Sequence, residues 1–226
     1  MNPLVVLHGA LGSKKQLEPL CEKLRQKGLA VYSLNFSGHG GEPFRESFGI
    51  ETFADDVLQF LEKQHLKQVD LFGYSMGGYV ALWLACCAPE FVGRVITLGT
   101  KFDWSPQSAE KETRKLNVEK ILEKVPAFAR ILEHRHAPTD WITLLRKTSS
   151  MMVNLGNQPL LSAEHFQTIK QPVTICLGDE DDMADRAYSE QVAAWLPLGK
   201  FMLLEKTRHP IEQVNLEMLA SILHQA

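Results

Sequence analysis

A chain of 226 residues, 45% of them hydrophobic, carries enough apolar side chains to close a full core, and its length suits one large α/β domain better than two small ones. A formal net charge of -3 and a pI near 6.2 exclude the strong field that favours nucleic acid or an acidic membrane, and charges of both signs alternate rather than form blocks. No stretch approaches transmembrane length, Met1-Asn2-Pro3 lacks the basic region of a signal peptide, and Cys21, Cys86, Cys87 and Cys176 show no C-x-x-C spacing. The expectation is a cytoplasmic protein with free thiols, monomeric or homodimeric, without a nucleic-acid or membrane partner.

In chain order, short apolar runs at 4–7, 30–34, 69–72, 95–98, 173–177 and 201–204 read as strands. Most lack polar alternation, as strands covered on both faces do. Between them lie helical patterns. Ser13 with Gln16 reads as a capping box ahead of Leu17, Leu20, Cys21 and Leu24. Thr52 with Asp55 opens a second helix carrying Phe53, Val57, Phe60 and Leu61. A third runs from about Met76 to Ala88 and stops before Pro89. Tyr188, Val192 and Trp195 mark another, and Ile211, Val214, Met218 and Ile222 a last one. This alternation implies right-handed crossovers, hence a mainly parallel six-stranded sheet flanked by helices in a single domain over 1–226.

One segment, from about 102 to 171, holds helical pattern and no strand. Val118, Ile121, Leu122 and Val125 form one stripe, with Phe128, Ile131 and Leu132 beyond Pro126. Thr139 then caps a helix on which Trp141, Leu144, Leu145, Thr148, Met151, Met152 and Leu155 recur at helical spacing. Such an insertion between strands reads as a helical lid over the carboxyl edge of the sheet, where open α/β sheets bind ligands.

The sharpest chemical signal is Gly73-Tyr74-Ser75-Met76-Gly77-Gly78, which follows one strand and leads into a helix. In that setting a G-x-S-x-G sequence turns so sharply that the serine hydroxyl projects from the top of the sheet, at a helix N-terminus whose free N–H groups meet developing negative charge. Ser75 is therefore the candidate nucleophile. A second signal is the strand 4–7 running straight into His8-Gly9-Ala10. A backbone N–H just after it, at Ala10 or failing that Leu11, would pair with that of Met76 as a two-donor oxyanion hole. His8 reads as a structural residue holding that loop.

These motifs, Leu7-His8-Gly9, Asn35-Phe36-Ser37-Gly38-His39-Gly40, Gly73–Gly78, Gly178-Asp179-Glu180-Asp181 and Arg208-His209-Pro210, make the chain resemble the α/β-hydrolase superfamily over nearly its whole length. It looks like a compact member without the leading antiparallel strands. The family's second motif usually reads Asp-x-Pro-Gly-His-Gly, so Asn35 and Ser37 depart from it. The resemblance implies nucleophile, acid and base in the order Ser, Asp, His. The family pattern Gly-x-x-Asp-x-x-Val/Ala places the acid at Asp181, with Asp179, then Asp182, as rivals, and Asp103 after the strand 95–98 as a further candidate. The base is His209, in a loop beyond the last strand and before a helix that Pro210 can start. His65, His134, His136, His165 and His224 read as surface residues.

The implied chemistry is acyl transfer on a small carboxylic ester or thioester through an acyl-enzyme, with no metal or organic cofactor. Leu11, Phe102, Trp104, Trp141 and Met152 are the candidate pocket residues, with Met151 and Leu155 beside them, while Arg135, Arg146 and Lys147 either meet a substrate carboxylate or are simply solvated. A carbon–carbon bond hydrolase or lyase would use the same three residues, but the menaquinone-pathway relatives that do so often carry arginine where Tyr79 stands. A hydrolase-like small-molecule receptor would keep them without turnover.

Overall fold

The computed structural model describes residues 2–225. β1 (Leu4–Leu7), α1 (Lys14–Gln26), β2 (Val31–Ser33), α2 (Ile50–Lys63), β3 (Val69–Tyr74), α3 (Met76–Cys87) and β4 (Val92–Leu98) alternate strictly. Five helices follow before the next strand: α4 (Pro106–Thr113), α5 (Val118–Lys124), α6 (Pro126–His136), α7 (Trp141–Asn157) and α8 (Ala163–Thr168). β5 (Val173–Gly178), α9 (Arg186–Trp195), β6 (Gly199–Leu204) and α10 (Leu216–Gln225) complete the chain. The six strands lie in the order β2-β1-β3-β4-β5-β6, and every neighbouring pair is parallel.

Side chains of a strand alternate between faces, and β1 shows the consequence. Leu4 and Val6 join Leu17, Leu20 and Leu24 of α1 and Leu219 and Leu223 of α10 on one face. Val5 and Leu7 join Phe53 and Val57 of α2, Val80 and Leu84 of α3 and Val192 of α9 on the other. Both faces are thus covered, which is why β1 and β3 are buried along their whole length. β6 at the sheet edge alternates between half-buried and exposed residues instead. A third cluster, Leu11, Val118, Ile121, Leu132, Trp141, Leu144 and Leu145, ties the inserted helices to the loop after β1.

Several local expectations are corrected by long-range contacts. Ser13 stands at the N-cap of α1 but its side chain caps nothing: the Gln16 amide donates to the Ser13 carbonyl at 3.1 Å instead, and the Gln16 side chain donates to Glu212 at 2.6 Å. α2 starts at Ile50, after Gly49, and Thr52 lies inside it with its hydroxyl 2.9 Å from that of Ser47. Asp140, not Thr139, caps α7, accepting from the amides of Ile142 and Thr143. On α5 and α6 only Val118, Ile121, Ala129, Leu132 and His136 face inward, leaving Leu122, Val125, Phe128 and Ile131 exposed. Ile211 sits in a 3₁₀ turn that precedes α10. All four cysteines are free, and no helix among the described residues is long and apolar enough to cross a membrane.

Candidate active site

β1, β3, β4 and β5 all end at one edge of the sheet, and each delivers part of the site there. Between β3 and α3 the chain reverses at Ser75, a non-glycine residue held at φ 54°, ψ -119°. A Cβ on Gly77 would run into the backbone of Leu7 and His8, so only glycine lets α3 pass this close to β1. Ser75 is pinned through both flanking peptide units: its N–H donates to Leu98 O at 2.8 Å, and Thr100 Oγ1 donates to Ser75 O at 2.9 Å. Backbone held outside the favoured regions costs about 1–3 kcal/mol and persists where surroundings over-determine it. Ser75→Gly is therefore expected to raise stability by about 1 kcal/mol in urea unfolding, because glycine adopts this φ without strain.

His209 lies in the loop after β6 and is 9% exposed. Its Nδ1 is 2.8 Å from Asp181 Oδ2, and its carbonyl accepts from the Tyr74 hydroxyl at 3.0 Å. A nitrogen facing a carboxylate carries the proton, so Nδ1–H donates to Asp181 and the lone pair is left at Nε2. The Asp181 side chain is 2% exposed. Burial pushes its carboxyl up, but the hydrogen bond and charge of His209, with the amides of Met183 and Ala184 donating to Oδ1 at 2.9 and 3.1 Å, outweigh it and hold the group below the usual aspartate value. A Cβ on Gly99, at the end of β4, would press on Asp181 Oδ2 and His209 Nδ1, so this glycine (φ 63°) leaves room for the pair.

The rival acids are engaged elsewhere. Asp179 accepts from Thr207 N at 3.1 Å, and Asp103 is gripped by Lys101 at 2.9 and 3.0 Å. Asp182 is exposed.

Ser75, His209, Ala10 and Met76 line one narrow cavity of about 50 Å³, room for a few water molecules. Its wall is otherwise mostly apolar: Ile50 of α2, Tyr79 of α3, Trp104, Met151, Met152 and Leu155 of α7, and Met183. Lys101 after β4 and Glu112 of α4 add two charged side chains. Of the pocket residues expected from sequence, Trp104 and Met152 line the cavity and Leu11, Phe102 and Trp141 do not. Phe102 points into the main core beside Tyr79 and Phe166, while Leu11 and Trp141 belong to the third cluster. Lys101, Glu112, Ile50 and Met183 gave no local signal, since each is an ordinary residue of a loop or helix until the fold brings it to the cavity.

The loop bearing Ala10 is held from below and above. His8 is fully buried; its Nδ1 donates to Gly9 O at 2.8 Å and its Nε2 accepts from Phe36 N at 3.2 Å. The turn is closed by Gly12 N donating to Gly9 O, and Leu11 adopts φ 57°. His136 is not a surface residue: the last turn of α6 swings it fully inside, where Nδ1 accepts from Gly40 N at 3.0 Å and Nε2 donates to Leu11 O at 3.0 Å. Arg135 also donates to Leu11 O, at 2.9 Å, so it holds this loop. Arg146 is exposed, and Lys147 lies over the Phe44 and Phe48 rings. His65, His134, His165 and His224 are exposed. In the second motif, Asn35 Nδ2 donates to Gly40 O at 3.1 Å and Ser37 binds Asp56 through its amide and hydroxyl at 2.7 and 2.8 Å.

Burial lowers the pKa of His8 to about 3 and that of His136 to about 4, and pushes His39 well below the ordinary value. Each imidazole binds protons in the unfolded chain at a pH where the folded one does not. Stability is therefore expected to fall as pH drops from about 6.5 towards 4, by about 2 kcal/mol per such imidazole at pH 5. Urea titrations across that range should show the decline, and His136→Gln should flatten it by about one proton's worth.

A family model for the alpha/beta hydrolase fold matches residues 2–132. The chain is 35% identical over 108 residues to a probable alcohol acetyltransferase of Cyberlindnera fabianii, a stretch covering 47% of this chain and 29% of that protein. It is 32% identical over 113 residues to an sn-1-specific diacylglycerol lipase of Danio rerio, covering 50% of this chain and 34% of that protein. The chain thus matches about a third or less of the length of these relatives. Among solved structures, NosK from Streptomyces actuosus superposes with a TM-score of 0.84 at 19% identity, over 99% of this chain and 96% of that one. An enol-lactonase from Burkholderia xenovorans LB400 superposes with a TM-score of 0.77 at 19% identity, over 100% and 92%. At such identities the likeness concerns the fold. With more than half its length matched by the family model and a parallel sheet that carries a strained serine turn at its carboxyl edge, the chain belongs to the α/β-hydrolase fold family.

Proposed function

We propose that the protein is a serine hydrolase that cleaves small carboxylic esters or thioesters through an acyl-enzyme. The observation that carries this reading is the His209–Asp181 hydrogen bond at 2.8 Å beside a cavity that Ser75 also lines. Ser75 Oγ attacks the carbonyl carbon while His209 Nε2 takes its proton, and Asp181 keeps the imidazole in the Nδ1–H tautomer and stabilises its cation. The amides of Ala10 and Met76 receive the oxyanion, each such donor being worth roughly 10²–10³ in rate. The imidazolium then protonates the leaving alcohol or thiol, and water repeats the path to release the acid. Helices α4 to α8, placed between β4 and β5, act as the lid, with α4 and α7 forming the wall that shields the acyl group from solvent. The small cavity favours short acyl chains.

The test is a series of p-nitrophenyl esters of rising chain length, assayed with the wild-type protein and with Ser75→Ala. Activity should peak at short chains and depend on the serine; equal hydrolysis by both proteins rejects the reading. A second outcome for the same acyl-enzyme is transfer to an alcohol, favoured by the similarity to alcohol acetyltransferases and by the apolar wall. Added ethanol would then divert product from acid to ethyl ester.

A further inference from the structure

Glu112 does not fit a purely apolar acyl pocket. It lies on the same face of α4 as buried Ala109, is only 4% exposed, and lines the cavity shared by Ser75 and His209. A buried carboxylate is costly unless it is paired and hydrogen-bonded. Here one oxygen, Oε2, accepts from Lys115 Nζ at 2.9 Å, but that lysine side chain is 49% exposed. Water screens that half-exposed pair, so it weakens but does not cancel the carboxylate's charge, and Lys115 competes for that charge with any cation in the cavity. Among the described residues, no hydrogen bond reaches the second oxygen of Glu112.

The other charged side chains in and beside the cavity are committed, and the Tyr79 hydroxyl with them. Lys101 is neutralised by both oxygens of Asp103 and lies 5.7 Å from the centre of the Trp104 ring. Asp181 is taken by His209 and two amides, and the Tyr79 hydroxyl accepts from Leu161 N at 3.0 Å. Among the described residues, Glu112 is therefore the charged lining residue with an oxygen that no hydrogen bond reaches, and it is set among Trp104 and the methionines Met151, Met152 and Met183. A soft apolar wall with one buried carboxylate matches an alkyl chain ending in a positively charged nitrogen, which would form a charge-assisted hydrogen bond with Glu112 and pack its methylenes on the thioethers.

We propose that Glu112 is a specificity-determining residue that selects substrates bearing an ammonium group near the scissile acyl bond. This rests on the cavity being the substrate site, and so deepens the hydrolase reading.

The test is binding rather than turnover. Met76, Met151, Met152 and Met183 all line the cavity, so methyl resonances of methionine-labelled protein report its occupancy directly. Titration compares n-butylammonium with 1-butanol and with butyrate, which match in length and differ in charge. The ammonium should bind at least about tenfold more tightly than the alcohol, and butyrate more weakly than either. In Glu112→Gln the preference for ammonium over alcohol should shrink to under about threefold. Lys115→Gln, which removes the competing ammonium from outside the cavity, should strengthen butylammonium binding and decides the matter should Glu112→Gln not fold. Equal binding of ammonium and alcohol by the wild type, tighter binding of butyrate, or a preference that survives Glu112→Gln overturns the proposal. Because no bond is broken, Ser75→Ala should give the same rank order. Ammonium binding without ester turnover would thus reject the hydrolase reading alone, and turnover without ammonium preference would reject this one alone.

Discussion

Ser75→Ala is expected to lower kcat/KM for a short p-nitrophenyl ester by roughly 10⁵- to 10⁶-fold, equivalent to about 7–8 kcal/mol of transition-state stabilisation. The size follows from the unit in which the serine acts. Without Oγ there is no covalent intermediate, and neither the His209–Asp181 pair nor the turn at Ala10 has an attacking oxygen to serve. What remains is solvent attack assisted by the oxyanion donors, which by themselves supply about 10³–10⁴ over the uncatalysed reaction. The control is built into the backbone. Alanine at position 75 bears the same φ of 54° as serine, and both anchoring bonds, from Ser75 N to Leu98 O and from Thr100 Oγ1 to Ser75 O, involve main-chain atoms. The urea midpoint should therefore move little. A large loss of activity with an unchanged midpoint assigns the effect to chemistry; a parallel collapse of both would assign it to the fold.

Asp181→Asn should cost about 10⁴-fold in kcat, whereas Asp179→Asn should stay within about threefold of wild type. Asparagine preserves the acceptor oxygen that Met183 and Ala184 need and is nearly the same shape, so the loop after β5 should hold. What changes is the group facing His209 Nδ1. An amide nitrogen there turns the imidazole to the tautomer with its proton on Nε2, which cannot accept from Ser75, and no negative charge remains to stabilise the imidazolium. Asp179 sits two residues away in the same acidic run, yet its Oδ1 serves Thr207 N and its carboxyl is held low by that amide first and by neighbouring amides. Measuring both variants with one ester at one pH gives the comparison. A reversal of the two effects would move the acid to Asp179.

The strands and the serine turn were legible because their signals are local. Six apolar runs separated by helical periods can be read without knowing what covers them, and the parallel sheet follows from the alternation. A glycine-rich turn around Ser75 announces itself by the residues that steric contact requires. The position of His209 was legible for a different reason: chain order limits which histidine can reach the carboxyl edge of the sheet.

Burial by distant elements was not legible. Helical spacing tells which face of α7 is apolar but not whether Trp141 meets the third cluster while Met152 meets the cavity, since both surroundings accept the same side chains. His136 looks like any polar residue at a helix end until the loops around Leu11 and Gly40 close over it. The capping box at Ser13 does not form: the Gln16 side chain reaches Glu212, almost two hundred positions away, a contact that spacing along α1 cannot announce. Sequence by itself determined the layered sheet and the residue at its sharpest turn, where backbone sterics and periodicity act over a few residues. The family pattern placed the acid at Asp181 ahead of its rivals, and the fold brings that carboxylate to His209; tertiary structure alone decided which side chains wall the cavity and that a carboxylate on α4 is among them, because those depend on distances between segments that local preferences do not encode.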